Sequence, residues 1–164
     1  MLAGRIWMAP DFDDTPQGLI EAMEGRAGAV RLLLDTHAPL WALGGDPRLG
    51  RPRRLVVADP ANDVWVSVVS LLEITVKLRI GKLQADIEEM TRALAPAGFL
   101  LLDLHPTHLI QMTSLPFYPD HRDPFDHALI AQAIAEEMTF VSEDRNAARY
   151  PVRRLTCSDP SPGP

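Results

Sequence analysis

A chain of 164 residues, 46% apolar and 23% charged, has the length and balance of one globular domain with at most a short appendage. No apolar run approaches the roughly 20 residues of a membrane span, and the opening MLAGRIWMAPDFDD turns acidic too soon for a secretory leader. A lone cysteine, Cys157, excludes an intrachain disulfide and fits a reducing cytoplasm, while a net charge of −6, set against local clusters such as Arg48/Arg51/Arg53/Arg54 and Arg145/Arg149/Arg153/Arg154, selects no partner by itself.

Residues 1–29 carry Trp7 and Phe12 among acids, then Thr15-Pro16 as a helix start. Leu19, Ile20, Ala22 and Met23 follow as a short apolar face that Gly25 ends. From Val30 the chain alternates short apolar strands with helical stretches. Val30–Leu34 reads as a buried strand, Pro39–Leu43 as a helix stopped by Gly44-Gly45-Asp46-Pro47, and 44–63 as loop with a short helix around Leu55–Ala58. Val64–Val66 is a second strand and Ser67–Ile80 an apolar helix closed by Gly81. Ile87–Leu94 is amphipathic, Phe99–Leu102 a third strand, Pro106–Met112 a helix and Pro116–Pro124 a loop. Phe125–Met138 is a helix, Thr139–Ser142 a strand, and Tyr150–Leu155 a candidate last strand before a disordered tail at 157–164. Such alternation predicts an α/β fold, a parallel sheet covered by helices on both faces, with chemistry at the carboxyl ends of the strands.

Asp35 ends the first strand, Asp144 follows the strand at 139–142, and Asp126 opens the helix that feeds that strand, so all three are expected at one edge of the sheet. Glu73 stands among Val, Leu and Ile, where an unsatisfied acid is costly. Each has a structural alternative. Asp35 and Asp144 fit helix caps, Asp123 fits a cap ahead of Pro124, and Glu73 fits an i,i+4 pair with Lys77. Converging carboxylates repel, however, and a hard divalent cation relieves that repulsion. The five histidines are scattered without zinc spacing, so the site reads as Mg²⁺ or Mn²⁺ on carboxylates, suited to phosphodiester hydrolysis. Thr36 and Ser142 fit either supporting hydroxyls beside the metal or ordinary turn residues.

The ordered segments LLDTHAPLW at 33–41, SLLEITVK at 70–77, GKL at 81–83, DPFDHALIAQA at 123–133 and VSEDRN at 141–146 resemble the PIN-domain ribonucleases, specifically the VapC-type toxins of type II toxin–antitoxin pairs. The resemblance covers roughly 30–156. It implies a three-layer α/β/α sandwich and an acidic constellation of Asp35, Glu73, Asp126 and Asp144, the metal held by Asp35, Asp126 and Asp144, with Asp123 supporting. Ser142-Glu143-Asp144 replaces the family's frequent Thr-x-Asp and keeps the hydroxyl. The resemblance further implies endonucleolytic cleavage of RNA, tRNA or rRNA among the targets, and a homodimer.

Residues 1–29 are surplus to that fold and resemble the toxin-binding tail of a VapB/Phd-type antitoxin. Trp7, Phe12, Leu19, Ile20 and Met23 would supply its apolar contacts, and Arg5 or Arg26 would reach the carboxylates and compete with the metal. The linker Gly25–Ala29 spans only about 17 Å fully extended, so exchange of the arm between two chains stands beside binding within one chain. Two functions compete. One is a Mg²⁺-dependent endoribonuclease toxin autoinhibited by its arm; the other is a catalytically silent fusion of toxin and antitoxin parts that serves as a binding module. An ordinary amphipathic arm is a third reading of 1–29 alone. An aspartyl-phosphate phosphatase is disfavoured because His37 stands where its second acid belongs.

Overall fold

The computed structural model describes residues 30–158, so the inhibitory-arm contacts expected at Arg5, Trp7, Phe12, Leu19, Ile20 and Met23 lie outside the described residues. Five parallel strands form one sheet: β1 (Arg31–Leu34), β2 (Asp63–Ser67), β3 (Leu100–Leu102), β4 (Thr139–Val141) and β5 (Arg154–Leu155), in the order β3-β2-β1-β4-β5. Six α-helices connect them: α1 (His37–Gly44), α2 (Arg51–Ala58), α3 (Val68–Arg79), α4 (Ile87–Leu94), α5 (Pro106–Thr113) and α6 (Pro124–Ala135).

β1 shows why the sheet has two covered faces. Its Leu32, Leu33 and Leu34 are all fully buried, and successive strand residues point to opposite sides. Leu32 and Leu34 pack with Ala38, Val56, Val64, Val66 and Leu94 on one face. Leu33 packs with Val69, Leu129, Ile130, Ala133 and Phe140 on the other. The expected α/β/α sandwich is therefore present, built on a central strand with no polar face.

Helix ends explain most departures from the sequence reading. Ser67 is the last residue of β2 and caps α3, its hydroxyl accepting from Val69 N at 3.0 Å. α2 is a full two turns, starting at Arg51-Pro52, because Pro near a helix N-terminus costs no backbone hydrogen bond. α6 stops at Ala135, short of Met138, because Glu137 adopts φ 55° and turns the chain into β4. Arg145–Arg149 forms a 3-10 turn, and the last strand shrinks to two residues. Nor does the tail begin at 157: Cys157 is buried, and the backbone N–H groups of Cys157 and Ser158 donate to Glu143, each at 2.9 Å.

In chain order the strands go from β1 out to β3, then back past β1 to β4. The order thus reverses between β1 and β4, and the crevice beyond their carboxyl ends is where an open parallel sheet gathers ligands.

Candidate metal centre

Asp35 leaves β1 at this crevice. Its backbone N–H donates to Val141 O at 2.9 Å, which locks it to the end of β4. One carboxylate oxygen accepts from Ser142 Oγ at 2.6 Å and the other from its neighbour Thr36 N at 2.6 Å. Burial raises the Asp35 carboxyl above the ordinary aspartate range; the hydrogen bonds from Ser142 and Thr36 oppose that shift and the nearby Glu73 charge adds to it.

Ser142 joins two of the acids. While donating to Asp35, its oxygen accepts from Asp144 N at 3.1 Å, and Asp144 in turn caps the 3-10 turn by accepting from Asn146 N at 2.9 Å. The cap expected of Asp144 is thus present on one oxygen, while Oδ2 lies 3.7 Å from His121 Nε2 in the crevice.

Asp126 comes from the first turn of α6. Asp123 is the cap of that helix, its Oδ1 accepting from Phe125 N at 2.9 Å and Asp126 N at 3.4 Å, with Pro124 following. Desolvation pushes Asp126 up to about 6, against the lowering hydrogen bond from His121, and the charges of Asp123, Asp35 and Asp144 push it further. Three aspartates from separate elements thus act on one carboxyl group.

Glu73 occupies a different position. It is buried on α3, ion-paired with Lys77 at 2.6 Å and hydrogen-bonded by Thr36 Oγ1. Thr36 therefore links Glu73 to Asp35, through its hydroxyl on one side and its backbone N–H on the other. Glu73 borders the site through this link rather than joining the cluster of acids around Asp126.

The histidines show no zinc spacing in the sequence, yet one of them stands beside these acids. His121, buried in the 116–124 loop, places Nε2 3.1 Å from Asp126 Oδ2 and 3.7 Å from Asp144 Oδ2. Ligand atoms of His121, Asp126 and Asp144 all lie within 4.8 Å of one another. Nδ1 of the same ring meets the Tyr150 hydroxyl at 2.8 Å, and that hydroxyl also meets His127 Nε2 at 3.0 Å. Sequence spacing gave no sign of this, because His121 and Tyr150 reach the crevice from irregular chain. The proximity of His121 to the Asp123-Pro124 helix start was the available signal. This donor set suits a divalent cation: half-buried, convergent and negatively charged, with hydroxyl and imidazole partners holding its members in place.

Residues 32–152 match the PIN domain family. Among curated proteins none matches. In solved structures, a chain of VapBC2 from Rickettsia felis, bound to a DNA fragment from its promoter, has a TM-score of 0.60 at 16% identity, covering 77% of this chain and 98% of that one. A chain of DNA-bound VapBC from Salmonella typhimurium gives 0.57 at 16% identity, over 78% and 98%. A chain of FitAB bound to an IR36 DNA fragment gives 0.50 at 20% identity, over 77% and 94%. At these identities the likeness concerns the fold.

Proposed function

The chain belongs to the PIN domain family, and from that premise we propose that it is a metal-dependent endoribonuclease, the toxin of a toxin–antitoxin pair restrained by the antitoxin-like segment at 1–29. The observation that carries the catalytic reading is the convergence of Asp126 and Asp144 with His121 at the reversal point of the sheet, where the charges of Asp35 and Asp144 both raise the Asp126 carboxyl. The toxin reading draws support from the shared fold with the VapBC and FitAB complexes and from the antitoxin-like sequence ahead of β1.

Asp35, Asp126 and Asp144 would hold Mg²⁺ or Mn²⁺. A bound ion of this kind supplies a water of lowered pKa and neutralises charge on the phosphate and the leaving oxygen. The chain's own residues do the positioning. Ser142 holds Asp35 and Asp144 in one arrangement through its single hydroxyl. Glu73 fixes Thr36 against Asp35 and keeps Lys77 folded onto α3. Asp123 supports by capping α6 and by adding its charge beside Asp126.

Leu72, Val76 and Ile80 leave an exposed apolar stripe along α3, the kind of surface that the arm, a separate antitoxin or a second copy of the chain would cover. RNA would be the substrate, with tRNA and rRNA as the classes to examine first.

Asp35→Asn tests the catalytic reading. In the chain lacking residues 1–29, cleavage of total cellular RNA with Mg²⁺ or Mn²⁺ is expected to fall at least about a hundredfold in this variant, the scale of losing a group that organises transition-state charge. Circular dichroism should show the fold kept. Cleavage at the parent rate by a folded Asp35→Asn protein would remove the assignment.

A further inference from the structure

Among the described residues, His121, Asp126 and Asp144 form the sole His/Cys/Asp/Glu group whose ligand atoms converge tightly enough for an ion. An octahedral cation with ligands at about 2.1 Å keeps adjacent ligand atoms about 3 Å apart. His121 Nε2 already lies 3.1 Å from Asp126 Oδ2, and 3.7 Å from Asp144 Oδ2 closes with a shift of well under an ångström. The ring is buried and anchored at its far nitrogen, as a metal-ligating imidazole generally is.

The Tyr150 hydroxyl makes the ring's role switchable. It meets His121 Nδ1 at 2.8 Å and His127 Nε2 at 3.0 Å with a single proton to give, so one nitrogen accepts and the other donates. In the first arrangement Tyr150 donates to His121 Nδ1, which places the His121 proton on Nε2, aimed at Asp126. In the second, His121 Nδ1–H donates to Tyr150, Tyr150 donates to His127, and the Nε2 lone pair faces the same point as the two carboxylate oxygens. That convergence of three lone pairs is repulsive alone and favourable around a cation.

We propose that His121 Nε2 is a direct metal ligand with Asp126 and Asp144, so that this centre is a mixed nitrogen–oxygen site that prefers a first-row transition ion such as Mn²⁺ over Mg²⁺. The inference rests on the nuclease reading only for the presence of a divalent ion at the crevice. Proton balance closes in the change of arrangement. Nε2 releases its proton to solvent, Tyr150 passes its proton to His121 Nδ1, and His127 Nε2 passes one to Tyr150. Half-buried His127 then takes one from solvent at Nδ1. Imidazole nitrogen binds transition ions better than it binds Mg²⁺, whereas carboxylates alone favour neither so strongly.

The test is pulsed electron paramagnetic resonance of Mn²⁺ on the full chain, at millimolar Mn²⁺ sufficient to displace any arginine that competes for the carboxylates. A directly bound nitrogen should couple to the Mn²⁺ spin, and the coupling pattern should change on incorporation of ¹⁵N-histidine. The signal should vanish in His121→Gln and persist in His37→Gln, the control at the other histidine near Asp35. Mn²⁺ affinity in His121→Gln should fall by at least the roughly tenfold that loss of a supporting contact already costs, with Mg²⁺ affinity changed less. Tyr150→Phe should weaken Mn²⁺ binding and keep the nitrogen signal. Bound Mn²⁺ without nitrogen coupling, or coupling that survives in His121→Gln, overturns the proposal and leaves the nuclease reading standing. If His121→Gln fails to fold, isotope labelling of the parent chain and of His37→Gln decides. Absence of Mn²⁺ binding removes both readings.

Discussion

Asp126 meets the charges of Asp123, Asp35 and Asp144 in a partly desolvated position, and its proton is held to about 6 against an ordinary value of 3.8. Between those values the folded protein binds more protons at this site than the unfolded chain, so its contribution to stability falls as pH rises from about 4 to about 6 and levels off above. The expected cost is about 1–2 kcal/mol after screening at its open side. Asp46, Asp120 and Glu143 are held low and pull the opposite way, so the measurement is a difference. Urea unfolding of the parent and of Asp126→Asn, in EDTA at pH 4, 5, 6 and 7, should show the variant gaining on the parent up to about pH 6. Saturating Mn²⁺ should abolish that gain, because the ion binds the deprotonated carboxylate. An unchanged difference across the series would contradict the repulsive cluster. The acids themselves were legible in the sequence, since strand ends and a helix start placed Asp35, Asp144 and Asp126 at one edge. His121 was not. Its approach to Asp126 depends on how the 116–124 loop folds back and on Tyr150 behind it, neither of which leaves a periodic trace. Glu73 was legible as a costly buried acid and its pair with Lys77 as an i,i+4 spacing, but the hydrogen bond from Thr36 was not, because it joins residues 37 apart in the chain.

Helix α6 brings Asp126 to the crevice and fills one face of the core, with Ala128 through Ala133 all buried. Gln132 ties it across the sheet, accepting from Ser67 Oγ at 2.6 Å and donating to Asp103 O at 3.2 Å. Its start depends on exposed Asp123, whose cap and whose charge are separable. Asp123→Ala removes the cap and should cost about 1 kcal/mol in urea unfolding. Asp123→Asn keeps a capping oxygen, so stability should stay within a few tenths of that of the parent, while Asp126 loses a like charge and ionises more easily. If Asp123 instead bound the metal directly, Asp123→Asn would lose Mn²⁺ affinity as strongly as Asp126→Asn; calorimetric titration of both variants separates the two roles. Elements such as β1, α3 and α4 were legible because an apolar run or an amphipathic period marks them. α2 was under-read because Arg51, Arg53 and Arg54 look like loop composition, yet Arg54 turns back to bond Leu49 O and Asp46 O and stabilises the helix start. β3 and β5 are short and sit at the two edges, where few residues carry the signal of pairing.

Among the described residues, 30–158, the sheet has five strands and a core cluster on each face, which is the part that carries the candidate site. The arm's role is testable on the whole chain. If 1–29 restrains the nuclease, residues 30–164 should cleave RNA at least tenfold faster than the full chain at equal Mg²⁺ or Mn²⁺. Tethering gives the arm an effective concentration of order millimolar when its linker spans the distance, so a free peptide of residues 1–29 should match the tethered arm's extent of inhibition only near that concentration. Replacing Trp7 and Phe12 with Ala in the full chain should mimic truncation, because large apolar anchors dominate such contacts. Geometry adds a second observable. The linker Gly25–Ala29 reaches only about 17 Å, so an arm exchanged between chains stands beside one acting within its own chain, and dilution separates the two. An arm that acts within its own chain gives a ratio of truncated to full-length activity that is constant on dilution. An arm exchanged between two chains gives a ratio that falls toward one as the dimer dissociates, in step with the mass seen by sedimentation. Equal activity of the full and truncated chains at every concentration, both active, would leave 1–29 as an ordinary amphipathic arm; both inactive with bound Mn²⁺ would leave a silent binding module.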